Sequence, residues 1–449
     1  MSPTSSNDIA GLAEILRIAT LQDGYNAAVV TVGTTMLGVA GGVVGVFALL
    51  RRRSLVADAM SHATLPGIAI AFLASVALGG DGRSLPVLLS GAAISGIVGV
   101  LAIQTIVRHS RIREDAAIGI VLSVFFGAGV VLLSWIQANV PSSSAGIDHF
   151  IYGRTASMLA EDALVMTVLA AICVASSLLL RKEFVLACFD PDFARSTGWP
   201  IGTIDLLLLA LVVIVTVAGI QAVGIVLVVA MLVIPPVSAR FWSNRLARVL
   251  LLAGVLGGIG GWAGAVISAS LPRQPAGAVI VLTSGSIFLA SLLWAPVRGV
   301  LPAWRRRRRL RLRVEGDHLL EAAFEANPRC DVDRSPIAHD LVAHLSRTRA
   351  WTAGFRRRVF RDLRREGRIV VSPELALTPR GHRRGATVAR NHRLWERYLV
   401  THADIAANHV DWSVDQVEHV LSADLISSLE AALAAEGVTI PPVDEESTP

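Results

Sequence analysis

Asp58 and His62 stand four residues apart at the start of an apolar stretch, in Arg51-Arg-Arg-Ser-Leu-Val-Ala-Asp58-Ala-Met-Ser-His62-Ala-Thr-Leu-Pro-Gly67. On a helix, positions i and i+4 share one face, so a carboxylate and an imidazole converge on one point. An ionisable group at bilayer depth costs roughly 2.5–3.5 kcal/mol on insertion scales and therefore marks a pathway. One oxygen donor and one nitrogen donor suit a first-row divalent cation. Arg51–Arg53 leave a plainer alternative, in which Asp58 pairs with an arginine at the membrane boundary. A second set of donors lies near the C-terminus. His392 and Glu396 are spaced i, i+4, and Asp415, Glu418 and His419 are spaced i, i+3, i+4. Three carboxylates and two imidazoles without cysteine favour Mn²⁺ or Fe²⁺, with Zn²⁺ also open. A solvated helix face would carry the same residues with no metal.

The elements that must position these groups follow from composition. The chain has 449 residues, 53% hydrophobic and 17% charged. That is too apolar for a soluble enzyme and fits a polytopic membrane protein. Apolar runs fill the chain to about Val297, and from Arg298 onward Arg, Asp, Glu and His are frequent. A membrane domain followed by a soluble one is expected. Apolar stretches run approximately over 27–50, 60–79, 85–107, 116–135, 162–180, 203–219, 221–238, 249–270 and 277–297. Each approaches the ~20 residues that cross ~30 Å of hydrocarbon. Leu206 to Ser238 carries no charge and is too long for one crossing, so a break is expected within Gly219-Ile-Gln-Ala-Val-Gly224. Gly33, Gly38, Gly41, Gly42 and Gly45 give small-xxx-small spacing, which serves close helix packing.

Arg51–Arg53, Arg108/Arg111/Arg113, Arg181/Lys182, Arg240/Arg245/Arg248 and Arg305–Arg309 fall on alternate connections. With nine crossings all face the cytoplasm, the N-terminus lies outside and the C-terminus inside. Met1 to Asp23 is polar and shows no cleavable signal peptide. Cys173, Cys188 and Cys330 imply no disulfide framework.

The fold class expected is an all-α polytopic membrane domain of about nine transmembrane helices, over 1–300. A basic juxtamembrane linker (301–314), a winged-helix-like domain (315–385), a helical metal-binding and dimerisation module (386–435) and a disordered tail (436–449) follow. Arg305–Arg309 read as a stop-transfer flank able to hold anionic lipid headgroups. Ser335 to Leu345 reads as a capped helix with Pro336 at its first position. Thr352 to Glu366 reads as a second helix ended by Gly367, and 368–381 as a two-stranded wing. On that second helix Arg356, Arg357 and Arg361 are candidate DNA contacts.

Two long motifs occur in order along the apolar part of the chain. The first is Gly45-Val-Phe-Ala-Leu-Leu-Arg-Arg-Arg-Ser-Leu-Val-Ala-Asp58-Ala-Met-Ser-His62-Ala-Thr-Leu-Pro-Gly-Ile-Ala69. The second is Ile220-Gln-Ala-Val-Gly224-Ile-Val-Leu-Val-Val-Ala-Met-Leu-Val-Ile-Pro235-Pro-Val-Ser-Ala-Arg240. With them the chain resembles the manganese/zinc/iron ABC-transporter permease family over roughly residues 20–300. The resemblance implies that Asp58 and His62 bind the metal on its path. It implies a cytoplasmic ATPase, an extracytoplasmic metal-binding protein, a second permease subunit of the same or related kind, and a place in the bacterial cytoplasmic membrane. No G-x-x-x-x-G-K-[ST] loop occurs in the chain, in keeping with a non-enzymatic permease subunit. Phe189-Asp-Pro-Asp192-Phe-Ala-Arg-Ser-Thr-Gly198 resembles the segment that couples such permeases to the ATPase, with Asp190, Asp192, Phe193 and Gly198 as its marked positions; an ordinary capped loop helix is the alternative. Residues of about 315–430 resemble the manganese-responsive and diphtheria-toxin-type repressors. By that likeness His392, Glu396, Asp415, Glu418 and His419 bind regulatory metal. Asp317 and Glu321 complete the site, and His318 stands near an expected aromatic.

The expected function is thus the permease subunit of a divalent-metal importer, manganese foremost, with a fused cytoplasmic metal sensor. The rivals are a membrane-tethered, metal-dependent DNA-binding regulator and a channel or proton-driven carrier working without an ATPase.

Overall fold

The computed structural model describes residues 12–22, 24–51, 54–80, 84–139, 158–271, 274–327, 335–371, 374–402 and 423–435. The chain divides into two compact units, Met1–Ala303 and Trp304–Pro449. The first holds α1 (Leu12–Ala19), α2 (Tyr25–Leu50), α3 (Ser54–Ala63), α4 (Leu65–Ala77), α5 (Leu85–His109), α6 (Glu114–Asn139) and α7 (Ala160–Leu179). It continues with α8 (Arg181–Phe189), α9 (Pro191–Ser196), α10 (Ile201–Val223), α11 (Ile225–Trp242), α12 (Leu246–Ser270) and α13 (Ala276–Trp294). Among the described residues eight spans are long and apolar enough to cross a membrane, with Asp58–Ala77 counted as one. The shorter apolar helix Leu227–Trp242 supplies a ninth apolar segment, in line with the nine expected.

The uncharged stretch breaks where the sequence asks it to. Gly224 separates α10 from α11 with φ +85°, a conformation that glycine adopts without a Cβ penalty. The glycines of α2 pack against α12. A Cβ on Gly38 would stand 2.2 Å from the carbonyl oxygen of Gly257, and one on Gly42 2.2 Å from that of Ala253. Only hydrogen fits between such backbones, which explains the spacing seen in the sequence. Apolar side chains on the outer faces of α6 and α13, among them Val131, Trp135, Leu282 and Leu289, remain exposed, as lipid-facing residues do.

The second unit begins within α14 (Val300–Ala326), so the basic run Arg305–Arg309 is helical. It continues with β1 (Ser335–Pro336), α15 (His339–Thr348), α16 (Ala353–Arg365), β2 (Ile369–Val370), β3 (Ala376–Leu377), α17 (Pro379–His402) and α18 (Ala423–Ala435). The strands pair antiparallel in the order β1-β3-β2. Leu319, Leu320, Ile337, Val359, Leu363 and Leu377 form its core. Two helices and a small antiparallel sheet are the winged arrangement expected.

One boundary differs from expectation. Pro336 does not open a helix; Ser335–Pro336 is the edge strand β1, and α15 starts at His339. Proline is tolerated at a sheet edge. The extended backbone lets Ile337 enter the core and donate its N–H to the Leu375 carbonyl at 2.8 Å. The next helix starts as expected, with the Thr352 hydroxyl accepting from the Phe355 N–H at 3.3 Å and Gly367 following its end at φ +68°. The expected disordered tail, 436–449, lies outside the described residues.

Candidate functional site

Asp58 and His62 lie on α3, and the chain turns at Thr64 before α4 begins. Pro66 explains the break. It has no N–H, so the His62 carbonyl four residues earlier loses its ordinary helical donor. Neighbouring carbonyls are served by side chains: Ser95 Oγ donates to the Ala63 carbonyl at 2.6 Å and Thr64 Oγ1 to that of Ser61 at 2.7 Å. Broken apolar helices at membrane depth are where transporters place ion sites. Ala59, Met60 and Ala63 are fully buried and turn the opposite side of α3 into the bundle.

His62 Nε2 stands 3.6 Å from Asp58 Oδ1. That exceeds hydrogen-bond length. A divalent ion at ~2.1 Å from each donor would fit between atoms so separated. His62 Nδ1 is buried and has no hydrogen-bond partner among the described residues. Phe126 meets the ring edge-on at 4.8 Å between centroids and so fixes its plane. The side chains are 25% exposed for His62 and 44% for Asp58, so the pair is not sealed within the subunit. The plainer reading, an Asp58–arginine pair, is not formed by Arg51. The Arg51 guanidinium grips Asp205, with Nε 3.0 Å and Nη2 2.7 Å from Oδ1, and donates through Nη1 to the Ala187 carbonyl at 2.8 Å.

The segment after α8 forms the short helix α9. Asp190 Oδ1 accepts from the Phe193 N–H at 2.9 Å, Pro191 occupies the first turn, and Gly198 follows at φ +84°. Asp192 pairs with Arg195 at 2.7 Å on the surface, and Phe189, Phe193 and Trp199 are exposed.

In the second unit, Glu321 of α14 stands between two imidazoles. His392 Nδ1 of α17 lies 3.3 Å from Oε1, and His318 Nδ1 lies 3.6 Å from Oε2. Sequence reasoning gives His318 no part in the site; its i, i+3 spacing to Glu321 is the signal that could have found it. Asp317 does not join them. It is fully buried and held by Arg384, with Nε to Oδ1 at 3.0 Å and Nη2 to Oδ2 at 2.6 Å, and by Arg368 at 3.3 Å. The hydrogen bond with Asp317 raises the Arg384 pKa above the ordinary guanidinium range, against the opposing effect of burial. With both oxygens engaged by guanidiniums, Asp317 stands apart from the Glu321–imidazole contacts. The side chain of Glu396 on α17 lies outside the described residues, as do Asp415, Glu418 and His419. Among the described residues no group of three or more His, Cys, Asp or Glu is arranged to hold a metal ion. Arg356, Arg357 and Arg361 are exposed on α16, whose Val359 and Leu363 are buried.

A bundle of apolar helices with a carboxylate–imidazole pair on a broken span defines a multi-pass membrane permease. The chain belongs to the ABC 3 transport family, whose model matches residues 25–295. Residues 378–435 match a second family, the iron dependent repressor, metal binding and dimerisation domain. The chain is 36% identical to the manganese transport system membrane protein MntC of Bacillus subtilis over 379 residues, 84% of this chain and 85% of that one. That match is longer than the membrane unit and therefore runs on past Ala303. It is 43% identical to the zinc transport system membrane protein TroC of Treponema pallidum over 293 residues, 65% of this chain and 97% of that one. Among solved structures, PsaBC from Streptococcus pneumoniae in complex with Fab is similar, with 31% identity and TM-score 0.55, over 64% of this chain and 98% of that one.

Proposed function

We propose that this chain is the membrane permease subunit of an ATP-binding-cassette importer for a divalent transition metal, manganese before iron or zinc. The observation that carries the reading is the Asp58–His62 pair, 3.6 Å apart on a helix broken at Thr64. Relatives named for manganese and zinc transport support it. The C-terminal donor set, richer in carboxylate than in imidazole and without cysteine, favours the harder ion.

An extracytoplasmic binding protein delivers the ion. Asp58 and His62 replace part of its water shell, and the carboxylate charge offsets the cost of taking a dication out of water. The cytoplasmic ATPase docks at Asp190, Asp192, Phe193 and Gly198, and its cycle switches access from one side to the other. Two permease subunits complete the membrane core. The arginine-rich loops support a cytoplasmic second unit. There His392, Glu396, Asp415, Glu418 and His419, with Glu321 and His318, bind metal as a sensor that slows import when the cytosolic ion rises.

Uptake into vesicles holding the permease, its ATPase and the binding protein tests the transport reading. Asp58→Ala and His62→Ala, each at normal expression, should each lower initial uptake at least about tenfold. Normal uptake in both removes their role, and full uptake without the ATPase turns the assignment to a channel or carrier. A second reading, DNA binding, is favoured by the outward Arg356, Arg357 and Arg361. Metal-dependent, sequence-selective retardation of operator-length DNA by the full chain at moderate salt would establish it.

A further inference from the structure

Arg51 ties together three elements that the transport cycle has to move in step. It is the C-cap residue of α2, and α3, which carries Asp58 and His62, begins at Ser54. Its guanidinium takes the carboxylate of Asp205, in the first turns of α10, and the carbonyl of Ala187, in the last turn of α8. The side chains of this pair are only 14% and 12% exposed. Asp190, the cap of α9, follows Ala187 by three residues. A second grip reinforces the first. Phe47 of α2 and Phe184 of α8 meet with ring centroids 5.1 Å apart, and the Cys188 thiol points to the Phe47 carbonyl at 4.0 Å. α10 in turn packs against α3. A shift of α9 therefore moves the end of α2 and the start of α10, or it breaks the guanidinium fork.

A buried ion pair of this kind contributes little net stability over an apolar isostere, while its fixed geometry specifies an arrangement. The planar fork also explains the residue type. An arginine reaches a carboxylate and a carbonyl at once in one plane, whereas a lysine offers a point charge on a flexible stem.

We propose that Arg51, clamped between Asp205 and the Ala187 carbonyl, is the positioning residue through which movement of the ATPase-docking segment reaches the Asp58–His62 pair. The inference rests on the docking reading of α9. It assigns Arg51 and Asp205 no contact with the ion; their task is to transmit.

The test uses the full complex of permease, ATPase and binding protein in vesicles, with Mn²⁺ as the transported ion. ATP hydrolysed per ion taken up is measured beside equilibrium Mn²⁺ binding. Asp205→Asn should leave ATPase association intact and Mn²⁺ affinity within about twofold, raise ATP consumed per ion about tenfold, and abolish stimulation of hydrolysis by loaded binding protein. Arg51→Lys, which keeps the charge and loses the fork, should show the same uncoupling and serves if Asp205→Asn fails to assemble. The exchange Arg51→Asp with Asp205→Arg restores the pair without the Ala187 contact and should recover assembly while remaining uncoupled. Uptake and hydrolysis falling in proportion, or coupled transport in Arg51→Lys, overturns the inference. Phe193→Ala reports on the docking reading separately. Full ATPase association and uptake in that variant overturns the docking reading, and this inference with it. Lost association in Phe193→Ala together with coupled transport in Asp205→Asn overturns this inference alone.

Discussion

Two aspartates in this chain show how environment assigns a carboxylate its role. Asp58 meets an imidazole at 3.6 Å and keeps 44% of its side-chain surface exposed, which on the proposed reading leaves it open to an incoming ion. Asp317 has no exposed surface and is enclosed by two guanidiniums. Replacing it leaves Arg384 and Arg368 facing a neutral site. Asp317→Asn should therefore destabilise the second unit by roughly 2–4 kcal/mol, less than a fully buried pair because both arginines are partly exposed. Thermal unfolding of the full chain reads this, and metal bound per chain should stay unchanged; a lost equivalent of metal would return Asp317 to the ligand set. The raised Arg384 pKa means that this stabilisation is fully present below the ordinary guanidinium range and is lost only as pH rises through the folded value. The expected stability profile of this pair is thus flat through neutral pH. Helical spacing made Asp58 and His62 legible in the sequence. It did not separate Asp317 from His318: the resemblance put Asp317 in the site with Glu321, whereas packing turns His318 to Glu321 and Asp317 to Arg384. Asp205 was not legible at all, because its partner Arg51 lies 154 positions away and no local pattern links them.

At the scale of elements, what the sequence showed was punctuation. Gly224 ends one apolar helix and opens the next, and Asp190, Pro191 and Gly198 bound α9 as their chemistry dictates. Pro336 was misleading, because proline suits a helix start and a sheet edge alike, and the core position of Ile337 selects the strand. The glycine stripe of α2 was legible as a packing surface, but its mate α12 was not, since small residues recur in several spans. Their contact yields a sharp prediction. Gly38→Val puts a branched side chain where even a Cβ would lie 2.2 Å from the Gly257 carbonyl oxygen. The helices must part, at a cost of about 1–3 kcal/mol or more. A lower unfolding midpoint in detergent and reduced membrane yield are expected. Gly119→Ala, where a Cβ meets nothing within 4 Å, should be neutral. Equal stability of Gly38→Val and the parent would discard the close-packed interface.

At the scale of the whole molecule, a transport unit and a repressor-type metal-binding unit share one chain, and on the proposed reading both act on one ion. The match to MntC of Bacillus subtilis runs past Ala303, so a segment that follows the membrane unit is not confined to this sequence. A sensor regulates a transporter only through differential affinity: metal must bind more tightly to the sensor when the permease occupies its resting state. Tenfold inhibition requires about 1.4 kcal/mol of such coupling, well within the range of ordinary allosteric systems. In vesicles with the cytoplasmic face outward, loaded inside with the binding protein and labelled Mn²⁺, raising unlabelled Mn²⁺ on the outer face should lower the initial rate of label release about tenfold without changing ATPase association. Glu418→Gln with His419→Ala should remove the inhibition and leave uptake at low cytosolic metal unchanged, because neither residue belongs to the membrane path. Reciprocity supplies the second reading of the same experiment. Trapping the permease in its ATP-bound state should weaken Mn²⁺ binding to the second unit by the same factor. Inhibition that persists in the double variant would move the regulatory ion back to Asp58 and His62, as simple product inhibition from the cytoplasmic side.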